Sequence, residues 1–179
     1  SLSTDTNANN TGYQLSLLKM DVDGHFIDSA VFSSSIGSNS FANDMIIGNN
    51  NDIYLAAKSN DSRGLLMHCD SNLNITWSAT IDSTLFTPSE INQLALFNNG
   101  DVGLAGFIQT GLGNMWYGTL QRFDVNGNRL WNIAIDSANV SDNARGLTIN
   151  ATGEVAVTGS SGTTAFTCKY DNMGNFLWR

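Results

Sequence analysis

One short segment of the chain carries side chains that could bind a metal ion. Asp21, Asp23 and Asp28 lie within DVDGHFID, and carboxylate oxygens are the ligands that Ca²⁺ prefers in proteins. A calcium loop also needs regularly spaced oxygen ligands and a bidentate acid, usually a Glu at its twelfth position. The segment aligns instead with three other turns of the chain that lack the second Asp. We therefore predict a hairpin turn, with Asp21, Asp23 and Asp28 as the best candidate for a weak Ca²⁺ site and no other cofactor.

The remaining side chains give no catalytic arrangement. The two histidines, His25 and His68, are isolated, and the two cysteines, Cys69 and Cys168, lie far apart in the sequence. No Ser/His/Asp set, zinc-type spacing or close carboxylate pair outside the turns is present. The glycine-rich segment at residues 111–114 lacks the strand-to-helix context of a phosphate loop, so we predict a hairpin loop there. We expect a protein that is not an enzyme, with two buried free thiols.

The composition excludes several classes of protein. Of the 179 residues, 13% are charged, and the formal net charge is −8. An acidic chain lacks the basic surface that phosphate backbones require, so nucleic acid and anionic membranes are poor candidate partners. No apolar stretch reaches the roughly 18 residues of a membrane-spanning helix. Scarce Glu and Lys disfavour a helical bundle, whereas abundant Asn, Gly, Ser and Asp indicate many short strands joined by turns.

A repeat with a period of about 50 residues runs along the chain. One column of the repeat holds an Asp that begins a turn, and its members are Asp21, Asp70, Asp124 and Asp171. Three residues later the turn has a Gly that can take positive φ, at Gly127 and Gly174 among others. Seven residues after the Asp stands a Trp, at Trp77, Trp131 and Trp178, whereas the first unit has Asp28 there. We expect the Trp column to fill the gaps between neighbouring units.

Each repeat unit predicts four strands, separated by Asn- and Gly-rich turns. Repeated four-stranded antiparallel units of this length are typical of β-propeller blades. The sequence therefore predicts an all-β fold, a partial β-propeller ring of about 3.5 blades. We expect a flexible lead-in over residues 1–12 and a half blade over 13–40, followed by blades over 41–82 and 91–136. The last blade, residues 143–179, is cut near its final strand.

A column of basic residues precedes the Asp column by two positions. Its members are Lys19, His68, Arg122 and Lys169. Because the protein is acidic, we expect this column to pair with a second column of acids from the neighbouring blade, with contact to a ligand as the alternative. These acids are Asp52, Asp101 and Glu154.

The last unit carries the strings that point to a known family. The string KYDNMGNFLW (Lys169–Trp178) and the string GEVAVTG (Gly153–Gly159) resemble the bacterial β-propeller repeat (SBBP) family. They are also similar to quinoprotein-like (PQQ-like) propeller blades, and the resemblance covers Tyr13–Arg179. It implies secreted or cell-surface bacterial proteins, mostly without established catalysis. Asp28 departs from the pattern, which indicates an atypical or terminal blade.

The blade count bears on the function, because a closed propeller has 4–8 blades. We expect another chain or a second copy to complete the ring, and Arg179, directly after Trp178, to be a processing site. The first hypothesis is a non-catalytic extracellular or cell-surface propeller, a structural or adhesive platform for protein or glycan partners. The alternatives are a building block of a larger surface assembly or filament, and a fragment of a quinoprotein-like enzyme.

Overall fold

The computed structural model of the chain describes residues 2–6, 13–32, 40–59, 61–81, 88–109, 115–135 and 140–179. Its elements are strands, arranged in three four-stranded antiparallel sheets and one three-stranded sheet. This arrangement confirms the predicted fold class, a partial β-propeller made of antiparallel blades. No helix in the described part of the chain is long and apolar enough to cross a membrane. The predicted loop at residues 111–114 lies outside the described residues.

The strands follow one another in chain order within each sheet. Blade 1 contains β1 (Leu2–Thr6), β2 (Tyr13–Met20) and β3 (Phe26–Val31). Blade 2 contains β4 (Phe41–Ile47), β5 (Ile53–Lys58), β6 (Gly64–Cys69) and β7 (Ile75–Thr80). Blade 3 contains β8 (Ser89–Leu96), β9 (Val102–Gln109), β10 (Trp116–Phe123) and β11 (Arg129–Ile135). Blade 4 contains β12 (Asp142–Ile149), β13 (Val155–Ser161), β14 (Thr164–Tyr170) and β15 (Phe176–Trp178).

The predicted lead-in is wrong for its first residues, because Leu2–Thr6 forms strand β1. This strand pairs antiparallel with β2, with Thr4 opposite Leu15. The mostly polar residues 1–11 give no apolar alternation, which is why the sequence does not reveal the strand. Pairing with β1 satisfies backbone groups that β2 would otherwise leave exposed at an edge. Blade 1 thus contains the second, third and fourth strands of the repeat unit, and not only half a blade.

Each junction between blades has its own apolar cluster, because the inner strand of one blade packs across the preceding blade. Strand β8 covers β4, β5 and β6, and strand β12 covers β8, β9 and β10. Fully buried side chains of blade 2 such as Leu66 thereby meet Leu94 and Leu104 of blade 3. Cys69 and Cys168 are both buried free thiols, and they lie in different clusters.

Polar side chains on the inner strands tie consecutive blades together. Asn43 Nδ2 donates to the carbonyl of Ile91 at 2.8 Å, and Asn92 Nδ2 donates to the carbonyl of Ala144 at 2.7 Å. Both asparagines sit at register shifts in the pairing of the first two strands of their blades. A β-bulge re-aims a side chain out of its normal alternation. The bulges therefore direct these amides across the junction, where they satisfy backbone acceptors of the next inner strand.

The residue after each bulge makes the reciprocal contact. Asp44 Oδ2 accepts a hydrogen bond from the backbone N–H of Leu94 at 2.7 Å. One blade further on, Gln93 Oε1 accepts from the N–H of Leu147 at 2.8 Å. Two adjacent side chains on one strand thus bond both a carbonyl and an N–H of the next blade. These paired hydrogen bonds fix both the register and the distance between consecutive blades.

Replacing Asn92 tests these contacts. Asn92→Ala removes hydrogen bonds to Asn143 Oδ1 and to the carbonyl of Ala144, both at 2.7 Å. It leaves partly buried acceptors unsatisfied, which costs about 1–3 kcal/mol. We expect a loss of this size in the free energy of unfolding measured with urea. The control is Asn72→Ala at an exposed turn position, where the loss should be below about 0.5 kcal/mol. Equal losses in the two variants would contradict the assignment.

Candidate functional site

The four Asp residues of the repeat organise one hairpin turn in each blade. Asp124 Oδ1 accepts from the backbone N–H of Asn126 at 2.9 Å and from that of Asn128 at 2.8 Å. The same two bonds, to the second and fourth residues after the Asp, recur in the other three blades. These Asp residues are Asp21, Asp70 and Asp171. Each carboxylate therefore holds closed the turn that it begins.

The side chain that ends each turn influences the acidity of the Asp. Asn128 Nδ2 donates to Asp124 Oδ2 at 2.9 Å, and this bond to the charged form lowers the pKa of Asp124. The amides of Asn74 and Asn175 lower the pKa of Asp70 and of Asp171 in the same way.

The first turn ends on a histidine instead of an asparagine. Here the backbone N–H of His25 makes the largest contribution to lowering the pKa of Asp21.

The candidate metal ligands are only partly brought together. Oxygen or nitrogen atoms of Asp21, Asp23 and His25 lie within 4.8 Å of one another, and all three residues are exposed. Both carboxylate oxygens of Asp21 already accept hydrogen bonds within the turn. Asp28 lies outside this group and accepts from the backbone N–H of Ser29 at 2.8 Å. A Ca²⁺ site with Asp21, Asp23 and Asp28 as joint ligands stays a prediction, and the geometry instead groups the first two with His25.

The predicted pairing of the basic column is wrong about the blade that supplies the acid. His68 Nε2 lies 2.7 Å from Asp52 Oδ2, and both residues belong to blade 2. The ion pairs at the other two positions are also formed within one blade, and they join Arg122 to Asp101 and Lys169 to Glu154. The physical reason is strand register. The acid directly precedes the second strand of its blade, which pairs antiparallel with the third strand that carries the base.

The basic column does reach the next blade, but through backbone carbonyls. Lys19 Nζ donates to the carbonyl of Ser71 at 2.9 Å, and Arg122 donates to the carbonyl of Asn172 at 2.8 Å. Both acceptors are the residue directly after the turn Asp of the following blade. Arg122 also stacks on the ring of Phe97, with its guanidinium carbon 3.9 Å from the ring centroid. The Asp turn of one blade is therefore a docking point for the blade before it.

The tryptophan column uses the same docking point. Trp77 Nε1 donates to the carbonyl of Val125 at 3.0 Å, and its ring lies over Gly127. A Cβ atom added to Gly127 would lie 2.7 Å from Trp77 Cδ2, so only glycine allows this approach. Trp131 repeats the contact on the turn of blade 4. Its Nε1 donates to the carbonyl of Asn172 at 3.3 Å. The two half-buried indoles thus fill gaps between blades, as expected for a packing role.

The junction between blades 1 and 2 lacks both the Trp and the Gly of this contact. Blade 1 has Asp28 in the Trp column, opposite Lys19 across the strand pair. Blade 2 has Leu73, with φ of 66°, where the other turns have glycine. Leu73 is 5% exposed and packs in the same cluster as Leu17. The Leu side chain therefore occupies part of the junction that a Trp would otherwise fill.

Sequence reasoning missed two features of this site. The first is the contact between the Trp of one blade and the turn Gly of the next blade. At the first junction both residues are replaced together, the Trp by Asp28 and the Gly by Leu73, and this joint replacement is the signal in the sequence. The second is the bulge in the outer strand pair of every blade, where a register shift follows the basic residue. A bulge adds one residue without a compositional signature. Through it, Trp77 lies directly across from His68, and their rings stack with centroids 5.4 Å apart.

Comparisons with known proteins support the fold. No family model and no curated protein matches the chain. It is similar to the crystal structure of a protein from Lactobacillus plantarum, with a TM-score of 0.59 and 13% identity over 93% of this chain and 50% of that one. It is also similar to a crystal structure of the eukaryotic initiation factor, with a TM-score of 0.52 and 13% identity over 99% and 42% of the two chains. The chain thus spans half or less of the length of either structure.

A glycine series tests the contact between the Trp and Gly columns. Gly24, Gly127 and Gly174 have nearly the same φ, so alanine strains the backbone equally, by about 1–2 kcal/mol. A Cβ atom added at Gly24 would have nothing within 4 Å. A Cβ added at Gly174 would lie 3.3 Å from Trp131, and a Cβ added at Gly127 would lie 2.7 Å from Trp77. In urea unfolding of dilute protein we expect Gly127→Ala to lose the most stability and Gly24→Ala the least. The excess at Gly127 should be about 1–3 kcal/mol. Equal losses would mean that the indole contact is absent.

The Asp turns predict a loss of stability in acid. The pKa of Asp124 is lowered in the folded protein from its ordinary value of 3.8, so its contribution is complete above that pH. The contribution is lost as the pH falls through the lower folded pKa. We expect Asp124→Asn to make the free energy of unfolding less dependent on pH below about 4. The control is Asp23→Asn, because Asp23 donates its backbone N–H to the carboxylate of Asp21, and the substitution keeps this donor. An unchanged pH profile in Asp124→Asn would contradict the assigned role.

Proposed function

We propose that this chain is a non-catalytic structural unit of a larger extracellular or cell-surface β-propeller assembly. In this proposal its stacked blades form a rigid platform for protein or glycan partners, and another chain or a second copy completes the ring. The observation that carries the proposal is the difference between the inner and the outer junctions. Trp77 and Trp131 are half-buried against the next blade, whereas Trp178 is 49% exposed at the end of the stack.

Large exposed apolar side chains are more numerous on the first and last blades than on the two inner blades. Blade 1 exposes Met20, Val22, Phe26, Ile27 and Val31, and blade 4 exposes Val140, Met173, Phe176, Leu177 and Trp178. Exposed apolar surface of this kind is typical of interaction sites. The distribution supports an assembly in which further blades, or surfaces shaped like them, cover the two ends.

The titratable groups support a structural role. The ion pairs formed by Arg122 and Lys169, and the hydrogen bond between His68 and Asp52, join neighbouring strands of one blade. Burial raises the pKa of the Cys69 thiol to about 11, which makes it a poor nucleophile at neutral pH. The Asp carboxylates of the four turns accept hydrogen bonds from their own turns. These groups are thus occupied in holding strands and turns together.

The location outside the cell rests on the resemblance to secreted bacterial propeller repeats. The composition is compatible with it, since a net charge of −8 and a low content of basic residues disfavour partners with phosphate backbones. Rigid stacked blades with variable loops suit the binding of proteins or glycans.

Sedimentation velocity of the purified chain over a series of concentrations tests the building-block proposal. We expect species heavier than the 19.3 kDa of a single chain, in a proportion that rises with concentration. Added salt should leave this association intact or strengthen it, because exposed apolar side chains and not ion pairs form the ends. A single 19.3 kDa species at every concentration would contradict completion of the ring by a second copy.

A further inference from the structure

The junction between blades 1 and 2 contains a cavity with a volume of about 430 Å³. Strand β2, the first hairpin of blade 2 and the Asp turn of blade 2 form its walls. Apolar side chains of both blades line it, among them Leu17, Met45, Ile53 and Leu73. Pockets for small molecules have volumes of about 300–1,000 Å³ and a mostly apolar lining with a few polar groups. The cavity therefore has the size and the lining of a site for a small molecule.

The cavity adjoins the positions that contact an indole at the next junction. Three residues of its wall, Lys19, Ser71 and Leu73, stand at the repeat positions that contact Trp77 one junction further on. There the indole stacks on the base of the third strand, donates to the carbonyl after the turn Asp and lies over the turn glycine. Blade 1 has Asp28 in the Trp column and supplies no indole. The cavity is thus bounded by positions that elsewhere contact a planar aromatic ring.

The apolar wall of the cavity is less covered than its counterpart at the next junction. Leu94 and Val102 of blade 3 are buried. Met45 and Ile53, at the same repeat positions of blade 2, are only partly buried. A ring bound in the cavity would remove this apolar surface from water, which the hydrophobic effect favours.

A backbone acceptor at the cavity can take a second donor. In blade 4, the carbonyl of Asn172 accepts hydrogen bonds from Arg122 Nη1 at 2.8 Å and from Trp131 Nε1 at 3.3 Å. A carbonyl oxygen has two lone pairs, so both bonds form together. The corresponding carbonyl of blade 2 belongs to Ser71, and within the described part of the chain Lys19 Nζ is its donor, at 2.9 Å. Its second lone pair can therefore accept an N–H from a bound ring.

The charges beside the cavity favour an uncharged ligand. Lys19 lines the cavity, and Asp28 lies directly across from Lys19 in the strand pair. Cross-strand neighbours have Cβ atoms about 4.5–5.5 Å apart, so the two opposite charges offset each other. The apolar stem and the ammonium group of a lysine also pack favourably against the face of an aromatic ring.

We propose that the junction between blades 1 and 2 binds a free, uncharged heteroaromatic molecule of the indole class. Its ring lies against Lys19 and Leu73, and its N–H donates to the carbonyl of Ser71. The class follows from the equivalent positions, since Trp77 and Trp131 bring the same ring and the same donor to the next two junctions. A small-molecule site of this kind goes beyond the structural role of the blades.

NMR of the chain with labelled methionine methyl groups, titrated with indole, tests the site. We expect saturable shifts of the Met20 and Met45 methyl signals, because both side chains line the cavity. The signal of Met173, in the Asp turn of blade 4, should stay unchanged. Absence of a saturable shift at Met45, or an equal shift at Met173, would overturn the inference.

Two analogues of indole test the chemistry of the ligand in the same titration. Benzofuran has the shape of indole but an oxygen in place of the N–H. We expect it to bind about threefold to tenfold more weakly, the effect of one net hydrogen bond. Equal affinity for benzofuran would overturn the assigned contact with Ser71. Tighter binding of N-acetyltryptophanamide than of indole would identify a Trp side chain of another protein as the occupant and overturn the assignment to a free molecule.

A variant that fills the cavity with an indole of the chain gives an independent test. Asp28→Trp combined with Leu73→Gly introduces the two residues that form the contact at the inner junctions. We expect this double variant to bind indole at least about tenfold more weakly than the unaltered chain. The control is Met173→Trp, which adds an indole at an exposed position of blade 4 and should bind indole like the unaltered chain.

Circular dichroism and the melting temperature verify that both variants are folded. Undiminished indole binding by the folded double variant would overturn the inference, as would an equal loss in Met173→Trp. The methyl titration uses the unaltered chain, so its outcome does not depend on the folding of either variant.

Discussion

The packing of one blade against the next is the constraint on which this structure depends. A four-stranded blade has two faces to cover, and only its neighbours can cover them. Here the inner strand of the following blade lies across three strands of the preceding one, which buries Leu66 and Leu120 completely. Bulged asparagines add hydrogen bonds at the same junctions. Since these bonds satisfy backbone groups of the next strand, they specify the register of the stack as well as stabilise it.

The sequence predicted the parts of the fold that depend on local chemistry. The Asp turns follow from the ability of Asp124 and its equivalents to accept bonds from nearby amides, and the strand positions follow from apolar runs between turns. Strand β1 could not be predicted in this way, because its pairing with β2 uses backbone groups that any residue provides. The hydrogen bond between His68 and Asp52 depends on the register of two strands, which the spacing of the columns alone does not define.

The first junction shows how columns of a repeat should be interpreted together. Considered alone, Asp28 marks an atypical blade, and Leu73 is a strained residue with positive φ in a turn. The structure joins them, since the position after blade 1 lacks an indole and the turn of blade 2 lacks the glycine that would receive one. Leu73 is buried among apolar side chains of blades 1 and 2, so its burial offsets part of the cost of the left-handed conformation. The two residues that form one contact between repeats are therefore replaced together.

The end blades differ from the inner blades in a way that follows from solvent exposure. On blade 4, Thr158 Oγ1 donates to the carbonyl of Phe166 at 2.8 Å, and Thr167 Oγ1 lies 3.3 Å from Thr158 Oγ1. These hydroxyls are satisfied within the blade, so this part of the face is stable in water without a covering strand. Trp178 at the rim gains nothing comparable from exposure, because half of its apolar surface stays in water. The face is therefore polar and satisfied at its centre and apolar at one edge.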